Sequence, residues 1–143
     1  MSMLKHTIVY AEDDLDDLFI LTQAFQKHDH IEVLHAPDGK KAMLLLENMA
    51  GENSLPCLVI LDINMPVMNG REALQAIRSH NELYKLPVVL FSTSSSASDR
   101  LFAEAHEAFL ITKPSDFLNL ETIVMQFIGH CNFEINKITY SGS

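Results

Sequence analysis

The chain alternates between short, mostly apolar runs and longer stretches in which apolar residues recur every three or four positions. Thr7-Ile8-Val9-Tyr10-Ala11, Ile31 to His35, Cys57 to Leu61, Val88-Val89-Leu90-Phe91 and Phe109-Leu110-Ile111-Thr112 are of the first kind. A run without polar alternation, Leu58 to Leu61 above all, is what a strand buried on both faces of a parallel sheet requires. Between the runs, Leu15, Leu18, Thr22 and Phe25 recur at helical spacing, as do Ala42, Leu45, Leu46 and Met49, and then Leu74 and Ile77. A helix is expected around Ser98 to His106, and the last one carries Leu120, Ile123, Val124, Phe127 and Ile128 on one stripe, with Gly129 near its end. Asp16 and Asp17 stand in the first turn of the first helix, where the helix dipole favours anions. Asp38, in the break Pro37-Asp38-Gly39, can cap the second. Arg71, Glu72 and Arg78 are expected to point outward from the third.

Strands alternating with helices give βαβ units and hence a parallel sheet covered on both sides. Five such units follow one another with no internal repeat, low-complexity block or linker. The 143 residues are therefore expected to form a single domain, with a core over about residues 6–131. The tail, Asn132 to Ser143, has no clear pattern.

Composition narrows the function. Ten basic against 19 acidic residues give a formal charge of −9, so no basic face exists to neutralise a phosphate backbone, and direct nucleic-acid binding is not expected. Cys57 and Cys131 fall in apolar segments without metal-ligand spacing and read as reduced core thiols. No apolar run reaches membrane-spanning length, and the start, Met1 to His6, lacks the apolar core of a signal peptide. A soluble, cytoplasmic protein is expected.

The strand ends carry the chemistry. The first run gives way to Glu12-Asp13-Asp14, the third to Asp62, the fourth to the hydroxyls Ser92-Thr93-Ser94-Ser95-Ser96, and the fifth to Lys113-Pro114. In an open parallel sheet the carboxyl ends of strands open into the ligand crevice, so topology alone brings these residues together. Each has a plainer explanation by itself: an acidic helix start, loop hydroxyls, a solvated strand end. Seven histidines are scattered without helical pairing or carboxylate company, and His28, His30 and His35 read as surface or core residues. The conjunction of four strand ends is what points to metal-assisted phosphoryl transfer. Crowded carboxylates are relieved by a divalent cation such as magnesium, which takes about six oxygen ligands. Asp62 would be the carboxylate nucleophile, Lys113 a point charge for the phosphoryl oxygens, and Ser92 a hydroxyl donor to one of them.

At these residues the sequence resembles the response-regulator receiver domain of two-component signalling. The acid pair matches Glu12-Asp13. The phosphoacceptor motif, an aspartate followed by x-[D/N]-M-P and then a glycine, matches Asp62, Asn64, Met65-Pro66 and Gly70. The hydroxyl position falls on Ser92, followed by Thr93, and the Lys-Pro pair on Lys113-Pro114. The resemblance runs from about His6 to Cys131. It implies a flavodoxin-like (βα)5 doubly wound parallel sheet of order 2-1-3-4-5, magnesium as cofactor, and a sensor histidine kinase or histidine phosphotransfer protein as donor. It further implies that Asp13 and Asp62 ligate the metal directly, Glu12 mostly through water, and Asn64 through its backbone carbonyl. An output surface on the fourth helix, fifth strand and fifth helix belongs to the same pattern, and a homodimer is compatible with it. Within the family the chain is similar to stand-alone regulators that pair with phytochrome-type or other hybrid kinases. Two positions depart from the pattern: Leu110 stands where an aromatic ring is usual, with Phe109 beside it, and His106 replaces a glycine ahead of the fifth strand.

Other readings remain open on the residues alone. A hydrolase using Asp62 and a metal would want a second acid–base group, and Asn64 stands where one might be. A receiver-like scaffold without chemistry would predict a damaged acid site, whereas every position is filled.

Overall fold

The computed structural model describes residues 5–93, 96–115 and 118–136; Met1 to Leu4, Ser94, Ser95 and residues 137–143 of the tail lie outside them. Five strands, β1 (His6–Ala11), β2 (Ile31–Ala36), β3 (Leu58–Asp62), β4 (Val88–Ser92) and β5 (Phe109–Thr112), alternate with α1 (Leu15–Phe25), α2 (Gly39–Gly51), α3 (Gly70–Arg78), α4 (Ala97–Ala105) and α5 (Leu120–His130). All pair in parallel in the order β2-β1-β3-β4-β5. The fold is the parallel sheet expected from the strand pattern, in the flavodoxin-like order that the family resemblance implied.

Burial follows strand position. β3 and β4 are buried at every residue, whereas the edge strands β2 and β5 are only partly so. The two-residue period of a strand divides the core into two layers. Val9, Ala11, Val59, Leu61, Val88 and Leu90 face one way, toward Leu46 of α2, Leu74 and Ile77 of α3 and Ala103 of α4. Ile8, Tyr10, Leu58, Ile60, Val89 and Phe91 face the other, toward Leu21 and Phe25 of α1 and Ile123, Val124 and Phe127 of α5. Phe127 stacks on Phe25 at 6.0 Å between ring centroids and meets Phe91 edge-on at 5.2 Å. Losing one of these rings would cost about 3–5 kcal/mol.

Local chemistry starts the helices where the sequence placed them. Asp14 caps α1 by accepting from the Asp16 and Asp17 amides, Asp38 caps α2, and Asn69 forms a reciprocal capping box with Glu72. Three expectations are corrected. Leu15 is 72% exposed, and the buried residues of α1 are Leu21 and Phe25, with Leu18 packed beside them. Arg78 does not point into solvent: its guanidinium donates to the carbonyls of Tyr84, Leu86, His106 and Glu107, which lie in loops that lack ladder partners. Arg71 likewise reaches across to α4, pairing with Asp99 and Ser98 and lying 4.8 Å above the Phe102 ring. In the turn before β5 the left-handed residue is Glu107, at φ 53°; His106 keeps a negative φ as the cap of α4.

Candidate functional site

Four strand ends meet at one edge of the sheet. Glu12, the residue after β1, is fully buried and accepts the Tyr10 hydroxyl at 2.7 Å. Tyr10 is two residues earlier on the same strand face, so its ring lies in the core and only its oxygen reaches the site. Lys113, the residue after β5, is also buried. Its Nζ donates to Glu12 at 2.7 Å, to Asp17 of α1 at 2.9 Å and to Asp62 at 3.5 Å. Its backbone amide donates to the Ser92 carbonyl at 2.7 Å, which ties the end of β5 to the end of β4. Ser92 is buried and Thr93 exposed. Asp62 closes β3 and is paired in register with Phe91, one residue before Ser92.

The loop after Asp62 is held rigidly around it. The Asn64 amide donates to Asp62 Oδ1 at 3.3 Å, and the Gly70 amide donates to the Ile63 carbonyl at 3.0 Å. A β-carbon on Gly70 would lie 2.3 Å from the Asp62 carbonyl oxygen, so only glycine lets α3 begin against that strand end. Gly39, at the start of α2, packs equally closely on Met68 of the same loop. Between them Val67 has a φ of 68°, a conformation that β-branched residues rarely adopt. This loop therefore carries backbone strain directly beside the acid group.

Charges in the site are unequal. Burial first, then a hydrogen bond and repulsion from Glu12, push the Asp62 carboxyl up to about 7, against the opposing pull of Lys113 and the Asn64 amide. Burial would raise Glu12 as well, but hydrogen bonds with Asp62, Lys113 and Tyr10 outweigh it and hold this group below the ordinary carboxylate range. Burial disfavours the Lys113 cation, yet its hydrogen bonds to Glu12 and Asp17 raise it above a free lysine. The lysine is therefore a fixed cation among acids, and the proton that can be displaced belongs to Asp62.

Glu12, Asp13 and the Asp62 carboxylate present oxygens within 4.8 Å of one another, a set that could hold a metal ion. Asp13 is the exposed member and the other two are buried. Three carboxylates with Lys113 as neighbouring cation make a hard, oxygen-only donor set of the kind a divalent cation such as magnesium or manganese accepts. Asn64 is exposed at the rim. Two participants were missed in the sequence. Tyr10 looked like an ordinary strand residue, although its two-residue spacing from Glu12 put both on one face. Asp17 looked like a helix-dipole residue, and only the fold brings the first turn of α1 within 2.9 Å of Lys113.

One edge of the sheet thus carries a buried aspartate, an acid pair, a strand-end hydroxyl and a strand-end lysine. The sequence model of the response regulator receiver domain matches residues 8–125. The chain belongs to that family. It is 32% identical over 137 residues to the response regulator Rcp1 of Synechocystis, covering 92% of this chain and 90% of the relative. It is 33% identical over 123 residues to the probable methanogenesis regulatory protein FilR2 of Methanothrix harundinacea, covering 82% and 77%. Among solved structures, the phosphorylated cyanobacterial phytochrome response regulator RcpA is similar with a TM-score of 0.78 and 28% identity, over 90% of this chain and 97% of that one. The Mn2+-bound form of Rcp1 gives 0.75 and 28%, over 85% and 90%. No helix among the described residues is long and apolar enough to cross a membrane.

Proposed function

We propose that the whole chain is one receiver domain of a phosphorelay, working in the cytoplasm, in which Asp62 takes a phosphoryl group from a phosphohistidine. An Asp62 oxygen forms the new O–P bond as the N–P bond breaks, and the electron pair returns to the donor's imidazole nitrogen. Buried Lys113, within 3.5 Å of Asp62, is the observation that carries this reading. It supplies positive charge where the transferred group would sit, and it is pre-positioned by Glu12 and Asp17. Ser92, at the end of the neighbouring strand, would donate its hydroxyl to a phosphoryl oxygen, with Thr93 beside it at the loop rim. Asp13 and Asp62 would hold a magnesium ion directly, Glu12 through water and Asn64 through its carbonyl. When bound, the ion would offset charge gathering on the phosphoryl oxygens. Apart from the phosphorylation and dephosphorylation of its own Asp62, the chain would catalyse no reaction. The modified state would act by changing the α4–β5–α5 face for a protein partner.

The donor's approach is suggested by two exposed side chains beside the acid edge. Leu15 and Phe19 are 72% and 62% exposed. With Leu18, Thr22, Val33 and His35 they line a groove of about 400 Å³ between α1 and β2. A larger cleft of about 600 Å³ lies around Arg78 at the far ends of α3 and α4. Its arginine is already committed to four carbonyls, and it is remote from the chemistry.

Incubation with acetyl phosphate and magnesium, followed by mass spectrometry, should add one phosphoryl group to wild type and none to Asp62→Asn; equal labelling would remove Asp62 from the role. Asp13→Ala should weaken magnesium binding strongly and Asp14→Ala little, because Asp14 is the α1 cap. The reverse order in a metal titration would show the ligand register to be wrong. Phe19→Ala should slow transfer from a phosphorylated histidine protein at least tenfold while leaving acetyl phosphate labelling unchanged. Equal loss with both donors would place Phe19 in folding, not docking.

A further inference from the structure

We infer that Cys57 and Cys131 are a redox pair that closes to an intramolecular disulfide and fastens the end of α5 to the start of β3. Both are free thiols, and their sulfurs lie 2.7 Å apart although the residues are 74 positions apart in sequence. A disulfide needs about 2.05 Å, so closure asks for a small approach of two side chains and no refolding.

The backbone around the pair is already tied. The Asn132 amide donates to the Cys57 carbonyl at 2.9 Å. Leu55 and Asn136 exchange two hydrogen bonds, each of 2.9 Å. Phe133 meets His6 edge-on at 4.7 Å. The segment after α5 thus returns to the amino-terminal edge of the sheet, and the thiols face each other inside that strap.

Their roles differ by access. Cys131 is half-buried and Cys57 lies behind it, fully covered. Cys131 is therefore the sulfur that meets an oxidant, here a small disulfide such as glutathione disulfide. As thiolate it attacks one glutathione sulfur; the new S–S bond forms as the old one breaks, and the electron pair leaves on the first glutathione thiolate. Cys57 then loses its proton and attacks the Cys131 sulfur, expelling the second glutathione. In sum the two cysteines give up two electrons and two protons, and one disulfide becomes two thiols. Contact with Cys57 and burial both push the Cys131 thiol up, so thiolate is scarce and the pair closes slowly, under sustained oxidant.

Closure would act on the α5 end of the molecule. His130, next to Cys131, stacks on Phe109 of β5 at 3.9 Å, so a pinned Cys131 restrains the β5–α5 surface. The acid pocket is at the opposite sheet edge, and the cross-link does not depend on the reading of Asp62.

The test is to treat the full chain with glutathione disulfide, block remaining thiols with N-ethylmaleimide, and map peptides without reduction. The expected product is a monomer lighter by two hydrogens, carrying one peptide pair joined through Cys57 and Cys131. It should show slower amide exchange over residues 120–136 and unchanged acetyl phosphate labelling. Cys57→Ser should stop at a stable glutathione adduct on Cys131. Three results on wild type would each overturn the inference: alkylation of both cysteines, a persistent glutathione adduct, or a disulfide-linked dimer. None of them depends on how the variant folds.

Discussion

Asp62 is the residue whose protonation should be visible in solution. In an unfolded chain an aspartate titrates near about 3.9, whereas here burial and Glu12 push the group up to about 7. Between those two values the folded, metal-free chain keeps a proton that the unfolded chain has lost. The stabilisation is complete below about pH 4 and fades as pH rises through about 7. Glu12, held low, has the opposite sign, but its contribution varies only below about pH 4.5. Without metal, the urea midpoint should therefore fall between about pH 5 and about pH 8, and Asp62→Asn should flatten that fall. If magnesium is held by Asp62 as proposed, it must displace the same proton, so its affinity should rise over the same interval; calorimetric titration at both ends checks this, and a flat affinity would mean that Asp62 is already ionised. At this scale Asp62, Glu12, Ser92 and Lys113 were legible because each interrupts an apolar run with a group no core needs. Tyr10 and Asp17 were not, because a strand tyrosine and an acid in a first helical turn already have ordinary explanations.

At the scale of elements, strands and helix stripes were legible from period alone, and the cap Asp38 from its position. What periodicity could not show was where long side chains go. Arg71 and Arg78 occupy outward positions on α3, yet both reach to the α4 side, because a guanidinium on a flexible stem can return to carbonyls or a carboxylate that a neighbouring element leaves open. Leu15 failed differently: its spacing fits the stripe, but the position falls on the open groove between α1 and β2 and not over the core. The loop after β3 gives the sharpest test at this scale. Val67 is 76% exposed and held at φ 68°, so its side chain gains little from burial while its backbone is strained by about 1–2 kcal/mol. Val67→Gly relieves that strain but frees the unfolded chain by about 0.4–1 kcal/mol. The net expectation is a gain of up to about 1 kcal/mol in denaturant unfolding, with Asp62 labelling intact. A clear loss of stability would mean that the valine side chain contributes contacts outweighing its strain.

For the molecule as a whole, the order 2-1-3-4-5 places every polar strand end on one edge and the β5–α5 surface on one flank, and strand alternation offers a route by which the proposed switch would connect them. Ser92 and Leu90 are two residues apart on β4 and share a face. Leu90 is paired in register with Leu110 of β5, which packs half-buried against the core on the α2–α3–α4 side. A pull on Ser92 toward a phosphorylated Asp62 would therefore reach Leu110 through one neighbouring pair. Phe109 points to the opposite face, stacked on His130, and so does not replace the aromatic ring usual at the next position. Leu110 can respond only by repacking, which for an aliphatic side chain of conserved volume costs less than about 1.5 kcal/mol. Two arrangements that close in energy leave the second one populated before any phosphorylation. Leu110→Tyr adds volume and a hydroxyl at the rim of that cluster and should separate them. Amide exchange over α4 and β5 should then differ more between phosphorylated and unmodified forms than it does in wild type, with Asp62 labelled to the same extent. If exchange is the same in the variant and wild type, in both states, position 110 is not part of the switch and the signal leaves the acid pocket by another route.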